Sequence, residues 1–388
     1  MKRLFALMLA GVLILGLFAG CEQDTTPTTP STQVSEPSQS VVPSTSVSEP
    51  TEPSETEPTQ PSETEPEPPS LELGYYTAEH YLYYPDLFVP SWAGKWEVPA
   101  QMLDFEEKYA SFMDPDGRVM SIGHRADRNQ YYPENSIEAI LSAIAAGVDI
   151  VELDIAKTKD GVLVLMHDET LNATTNLVLL RGQGVEGLPE SDYVCDWTLE
   201  ELRQLRLLRG SRLTNYVIPT LEEAIMVCKD HCFITLDKVD RFNWQLEILP
   251  LMRKHQAYRE VLIPYKYSSS YGFKVLNNMI NLLESESGYK IPYLAWSGVS
   301  DVSMGSTTSQ IDYYGLCKGI RASEYYPEDL PIYQPFVGKY RIEVQTLEKS
   351  HDNRATWEEI ADAGLNVIFT NNYTYDLCKF IAERYFSE

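Results

Sequence analysis

Short apolar runs alternate with amphipathic helical segments over the roughly 270 residues after Asp114, and this predicts an α/β protein built as a (β/α)8 TIM barrel. Three observations carry the reading. The runs are nearly continuous in Val, Ile and Leu, as strands of a parallel sheet covered on both faces must be. The segments between them carry helix-start chemistry, such as Thr220 ahead of Leu221-Glu-Glu223. Histidines and acids collect at the downstream ends of the runs, the end at which a barrel assembles its site.

Taken in chain order, residues 1–20 have the layout of a secretory signal: Lys2 and Arg3, an apolar stretch from Leu4 to Phe18, then Ala19 and Gly20 ahead of Cys21. Leu17-Phe-Ala-Gly-Cys21 resembles a bacterial lipobox. That implies a lipidated Cys21 and an extracytoplasmic protein anchored to the cell membrane through its N-terminus. Residues 21–70 hold that cysteine and a linker of Pro, Ser, Thr, Glu, Gln and Val, with no Lys, Arg or aromatic residue after Cys21. Such chain buries too little apolar area to offset its ordering entropy and is expected to be disordered. At ~3.1 Å per residue it would reach on the order of 100 Å. Residues 71–117 form an extension rich in tyrosine (Tyr75, Tyr76, Tyr81, Tyr83, Tyr84), expected to cover the barrel, and residues 118–388 form the barrel.

The net charge of −26 is shared between the linker and the residues after it. It argues against nucleic acid and against lying flat on an anionic membrane, and no protein partner is expected. Besides Cys21 there are Cys195, Cys228, Cys232, Cys317 and Cys378, an odd number with no zinc spacing. Cys228 and Cys232 are expected as buried free thiols, although the compartment permits a disulfide. Gly182-Gln-Gly-Val-Glu-Gly187 fits a dinucleotide-binding pattern, but Leu188-Pro189 follows where a helix would open, so it reads as a loop.

Within the barrel, the runs Val119–Gly123, Asp149–Ile155, Val162–Met166, Phe233–Asp237 and Val261–Tyr265 read as strands one to five. Ile291–Ala295, Gly319–Ala322, Arg341–Gln345 and Asn366–Thr370 follow. His124 then follows strand one, His167 follows strand three, Asp237 ends strand four and Lys266 ends strand five. Glu152 and Asp154 are two apart on strand two and share a face. Two same-facing carboxylates inside a barrel need a cation, and a hard divalent ion, Mg²⁺ or Ca²⁺, with Asp237 as third ligand answers that need. Salt bridges to neighbouring Lys or Arg are the alternative. Two histidines at strand ends can handle protons, and Arg125 can clamp a phosphate or pair with Glu134 or Glu152.

These patches resemble the glycerophosphodiester phosphodiesterase family. They are Ile122-Gly-His-Arg-Ala126, Pro133-Glu-Asn-Ser136, Gly147-Val-Asp-Ile-Val-Glu-Leu-Asp154, Thr158-Lys-Asp-Gly161 and Val164-Leu-Met-His-Asp168. The resemblance implies a TIM barrel, a divalent metal on Glu152 and Asp154, and His124 and His167 as acid/base pair. It implies a small-molecule or polymeric phosphodiester substrate whose neighbouring hydroxyl attacks phosphorus to give a cyclic phosphate. Lys266 matches a family lysine that steadies the phosphate. The chain departs from the pattern at Ala126 (Gly), Ala173 (Arg), Asp237 (Glu), Asn353 (Asp) and the Asn371-Asn372 pair (Asp). The losses at Ala173, Asn353 and Asn371 motivate an alternative, a catalytically weakened surface binding protein on the same fold; a further one is a phosphodiesterase for phospholipids or sugar-phosphate diesters.

Overall fold

The computed structural model describes residues 68–128, 131–265 and 270–387. The expected signal, the lipidated Cys21, most of the linker and Lys266 lie outside the described residues.

Eight parallel strands follow one another around a barrel: β1 (Met120–Gly123), β2 (Ile150–Lys157), β3 (Phe233–Asp237), β4 (Ile263–Tyr265), β5 (Tyr293–Trp296), β6 (Gly319–Glu324), β7 (Arg341–Thr346) and β8 (Val367–Thr370). β8 returns to pair with β1, Val367 against Met120. The remaining seam lies between β3 and the residues leading into β4. There Ile234 N–H donates to the Glu260 carbonyl at 2.7 Å, and Leu262 N–H donates to that of Ile234 at 2.8 Å. The barrel is therefore closed, so its eight strands each have a neighbour on both sides.

One expected barrel strand is not in the barrel. Leu163–Leu165 pairs antiparallel with the end of β2, Ile155 opposite Leu165. Lys157 and Leu163 are joined by a tight turn through Gly161, whose φ is +85°. A connection that short can only reverse the chain, because a parallel return needs a dozen or more residues. The segment instead opens an insertion with its own small core, in which Trp197, Leu202, Leu205 and Leu207 pack on Val164 and Met166. Phe233–Asp237 is consequently the third barrel strand, not the fourth.

The extension closes the opposite, N-terminal end of the barrel with helix Phe105–Met113. Phe105 and Phe112 meet Phe233 with ring centroids 5.1 and 5.0 Å apart, inside the cluster that also holds Met120, Ile122 and Ile150. The cover is not only hydrophobic. Fully buried Lys108 donates to the carbonyls of Val148 (2.7 Å) and His231 (2.8 Å). Buried Arg341 donates to the carbonyls of Ser111, Phe112, Arg118 and Asn366, tying the helix end to β7 and β8. Cys228, Cys232 and Cys378 are buried thiols.

Candidate active site

The site begins where β1 ends. Arg125 and Ala126 both adopt left-handed backbone, φ 53° and 66°, a conformation that costs an L-residue roughly 1–2 kcal/mol. The turn brings Arg125 N–H to Glu152 Oε2 at 2.9 Å. Asn135, also left-handed at φ 56°, grips the next acid from both sides. Its Nδ2 donates to Asp154 Oδ2 at 3.0 Å, and its Oδ1 accepts from Asp154 N–H at 3.1 Å. Three strained residues thus serve to hold two carboxylates, as strain at a functional site is expected to do.

Glu152 and Asp154 are buried and Asp237 is exposed, and each places an oxygen within 4.8 Å of the other two. The cause is register: Asp154 lies opposite Asp237 across the β2–β3 pair. Burial, and then the Asp154 charge, push the Glu152 carboxyl up to about 8. Asp154 is partly balanced by Arg125 Nε at 3.2 Å and by Lys238 Nζ at 3.7 Å. The burial and repulsion that hold one of these carboxyls protonated are what a hard divalent cation on this all-oxygen set would relieve.

His124 stands beside this cluster, its Nε2 4.0 Å from Glu152 Oε2. Its Nδ1 lies 2.8 Å from Asn371 Oδ1. Asn371 Nδ2 donates to the Leu347 carbonyl at 2.9 Å, so Oδ1 is the acceptor and His124 Nδ1 carries the proton. Nε2 is then the unprotonated nitrogen, and it accepts a hydrogen bond from Arg125 Nε–H at 3.3 Å. Burial, which outweighs the opposing hydrogen bond with Asn371, lowers the imidazole to about 4, so the ring is neutral at pH 7.

The sequence-named residues converge unevenly. His124, Glu152 and Asp237 line one cavity of about 260 Å³ at the C-terminal end of the barrel, and Asp154 and Arg125 border it. Arg125 also meets Glu134 at 2.6 Å, so the expected ion pair forms with Glu134, and its second carboxylate partner is Asp154 rather than Glu152. His167 is not in the lining. It comes from the hairpin insertion rather than from a barrel strand, and its Nδ1 donates to Asp168 at 2.7 Å. Lys238 Nζ bonds the His167 carbonyl while facing Asp154, which sets His167 beside the cluster.

Two groups of site residues escaped the sequence reading. Arg321 of β6 lines the cavity, with Nε donating to Glu343 at 2.7 Å and Nη2 donating to Thr235 at 3.0 Å. Thr235 is the register partner of Glu152, so the guanidinium crosses the barrel to lie under the acids. Buried Asp352 accepts from the Thr346 and Thr370 hydroxyls and from the N–H groups of Asn371 and Asn372, fixing the segment that orients His124. The departure noted at Asn353, the next residue, was the available signal for Asp352. Nothing in the chain marks Arg321. The departures also find places: Asn353 caps helix Arg354–Asp362, where Asn and Asp serve alike, and Ala173 is exposed.

Residues 124–262 match the model of the glycerophosphoryl diester phosphodiesterase family. Glycerophosphodiester phosphodiesterase 1 of Mus musculus is 40% identical over 123 residues, 31% of this chain and 33% of that protein. A glycerophosphodiester phosphodiesterase of Caldanaerobacter subterraneus is 38% identical over 119 residues, 30% of this chain and 43% of that protein. The chain therefore matches only about a third to two fifths of the length of these curated relatives. A glycerophosphoryl diester phosphodiesterase structure from Parabacteroides distasonis superposes with a TM-score of 0.55 at 22% identity, covering 74% of this chain and 93% of that one. One from Silicibacter pomeroyi gives 0.50 at 18%, covering 71% and 98%. Both likenesses are in fold. The matched span contains His124, Arg125, Glu152, Asp154, His167 and Asp237, and over those residues the chain is similar to the glycerophosphoryl diester phosphodiesterase family.

Proposed function

We propose that the chain is a metal-dependent phosphodiesterase acting on glycerophosphodiesters, such as deacylated phospholipid head groups or the glycerol-phosphate units of a wall polymer. The observation that carries the reading is the unprotonated Nε2 of His124, held 4.0 Å from Glu152 beside the three carboxyl groups. Glu152, Asp154 and Asp237 would hold Mg²⁺ or Ca²⁺, which when bound supplies Lewis-acid polarisation of a phosphate oxygen.

The chain's own residues handle the protons. A neighbouring hydroxyl of the substrate attacks phosphorus and gives its proton to His124 Nε2, a neutral base at pH 7. The P–O bond to the leaving alcohol breaks, and the alkoxide takes the Nε2 proton of the His167 imidazolium, whose Nδ1–H Asp168 accepts. Water then opens the cyclic phosphate with the two roles reversed. Arg125 and Lys266 steady the phosphate. A lipid anchor at Cys21 would place this activity outside the cytoplasm, on the membrane surface.

The test is hydrolysis of glycerophosphocholine, glycerophosphoethanolamine and glycerophosphoglycerol by the full chain, treated with EDTA and then resupplied with Mg²⁺, Ca²⁺ or Mn²⁺. Metal-restored release of glycerol phosphate is expected, with His124→Ala and His167→Ala each slower by roughly 10²–10⁴-fold. Parent-like rates in both variants would overturn the assignment.

A further inference from the structure

A second cavity, of about 370 Å³, lies where the extension meets helix Ile137–Ala145, and it shares no lining residue with the first. Its wall is a run of aromatic rings. Tyr76 meets Tyr81 at 5.9 Å, Tyr81 meets Phe88 at 6.2 Å, Phe88 meets Tyr132 at 5.7 Å, and Tyr132 meets Tyr216 at 6.5 Å. Into this ring of side chains the helix sends Glu138, 2% exposed, whose Oε1 accepts the Tyr81 hydroxyl at 2.5 Å.

Glu138 has no cationic partner among the described residues. No Lys or Arg forms an ion pair with it, and Arg206 is spent over the ring of Tyr75 at 5.1 Å. A buried carboxylate without a counter-charge is costly, and a single phenol does not supply the missing charge. The aromatic faces around it carry negative quadrupole potential, which attracts a weakly hydrated cation and offers nothing to an anion.

We propose that this cavity binds a small organic ammonium ion, with Glu138 as the counter-charge and the tyrosine and phenylalanine rings as the cage. The volume admits a head of choline or ethanolamine size with part of its chain. The site stands apart from the phosphodiester reading, because no residue of the proposed catalytic set touches it.

The experiment is titration calorimetry of the full chain with tetramethylammonium and choline chlorides, with sodium chloride and glycerol as controls. Saturable binding of the ammonium ions and none of glycerol is expected. Glu138→Gln keeps an acceptor for Tyr81 and should weaken binding at least 10-fold. Tyr216→Leu should weaken it roughly 2- to 30-fold, the range of a desolvated cation–π contact, and it serves as the readout if Glu138→Gln does not fold. His124→Ala should leave the affinity in place, which separates this cavity from a leaving-group site in the barrel. Absence of binding up to a concentration on the order of 100 mM, equal affinity in a folded Glu138→Gln protein, or glycerol binding as tightly as choline would each overturn the proposal.

Discussion

Asn371→Asp exchanges an amide oxygen for a carboxylate at the atom that receives the His124 Nδ1 proton, 2.8 Å away. Two unit charges about 4 Å apart at an effective dielectric near 20 interact by about 4 kcal/mol, or ~3 pH units on the imidazole. Part of that is lost, because Asp352 already accepts the N–H of residue 371 at 2.9 Å and its charge opposes a second carboxylate there. A net rise of roughly 2 units remains, which carries His124 from about 4 to the neighbourhood of its ordinary value of 6.5. Proton NMR titration of the histidine Cε1–H signals in chelator-treated protein reads this directly, with His124→Asn identifying the resonance. In activity, the acidic limb of kcat/KM moves to higher pH by the same amount, so the variant loses rate at pH 5–6 before it does at pH 8. The sign for stability follows. A histidine held below its ordinary value costs the parent stability as pH falls from about 6.5 to about 4, and the variant narrows that window. At neutral pH the variant loses about 1–2 kcal/mol, because a carboxylate replaces the amide that donates to the Leu347 carbonyl. A His124 titration that moves by less than about half a unit would refute the hydrogen-bond assignment.

Glu138→Gln should match the parent near pH 4.5 and exceed it at pH 8–9. Burial raises the folded carboxyl from 4.5 to about 7, so its contribution is complete below 4.5 and is lost as pH rises through 7. Urea unfolding at the two pH values should show a difference of about 3 kcal/mol, and a pH-independent difference would contradict it. Arg321→Met leaves fully buried Glu343 unpaired and should cost roughly 3–5 kcal/mol. Adding Glu343→Met should recover most of that; a double variant no more stable than the single one would show that the pair is not the unit. Arg341→Met removes the donors that tie helix Phe105–Met113 to the barrel and should lower stability by at least about 3 kcal/mol. Thermal unfolding that stays near the parent's would mean that the extension is not fastened there. Mg²⁺, Ca²⁺ or Mn²⁺ at a hundred times its Kd should raise the unfolding free energy by about 2.7 kcal/mol. Asp237→Asn should lose most of that gain, and equal stabilisation of the variant would remove Asp237 from the ligand set.

Burial is written into sequence, so every apolar run from Val119 to Thr370 reappears as a strand or strand neighbour. Glu152 and Asp154 could be placed on one face because strand alternation is local, whereas Asp237 joins them only through the β2–β3 register, and the left-handed turns at Arg125 and Asn135 sit inside the motifs that resembled the family. The direction of Leu163–Leu165 was also legible, from a connection too short to return parallel, but apolar content alone does not reveal it. What remained was pairing across the barrel. Arg321 reaching Glu343 and Thr235, Asn371 setting the His124 tautomer, and Arg341 binding a helix more than two hundred residues earlier join residues far apart in the chain. The sequence by itself indicated which runs are buried and where the candidate site residues fall along them, because hydrophobic periodicity and short motifs are properties of neighbours. Only the closed barrel decided which buried charge meets which partner, because a side chain's ionisation and tautomer depend on atoms that the chain brings together last.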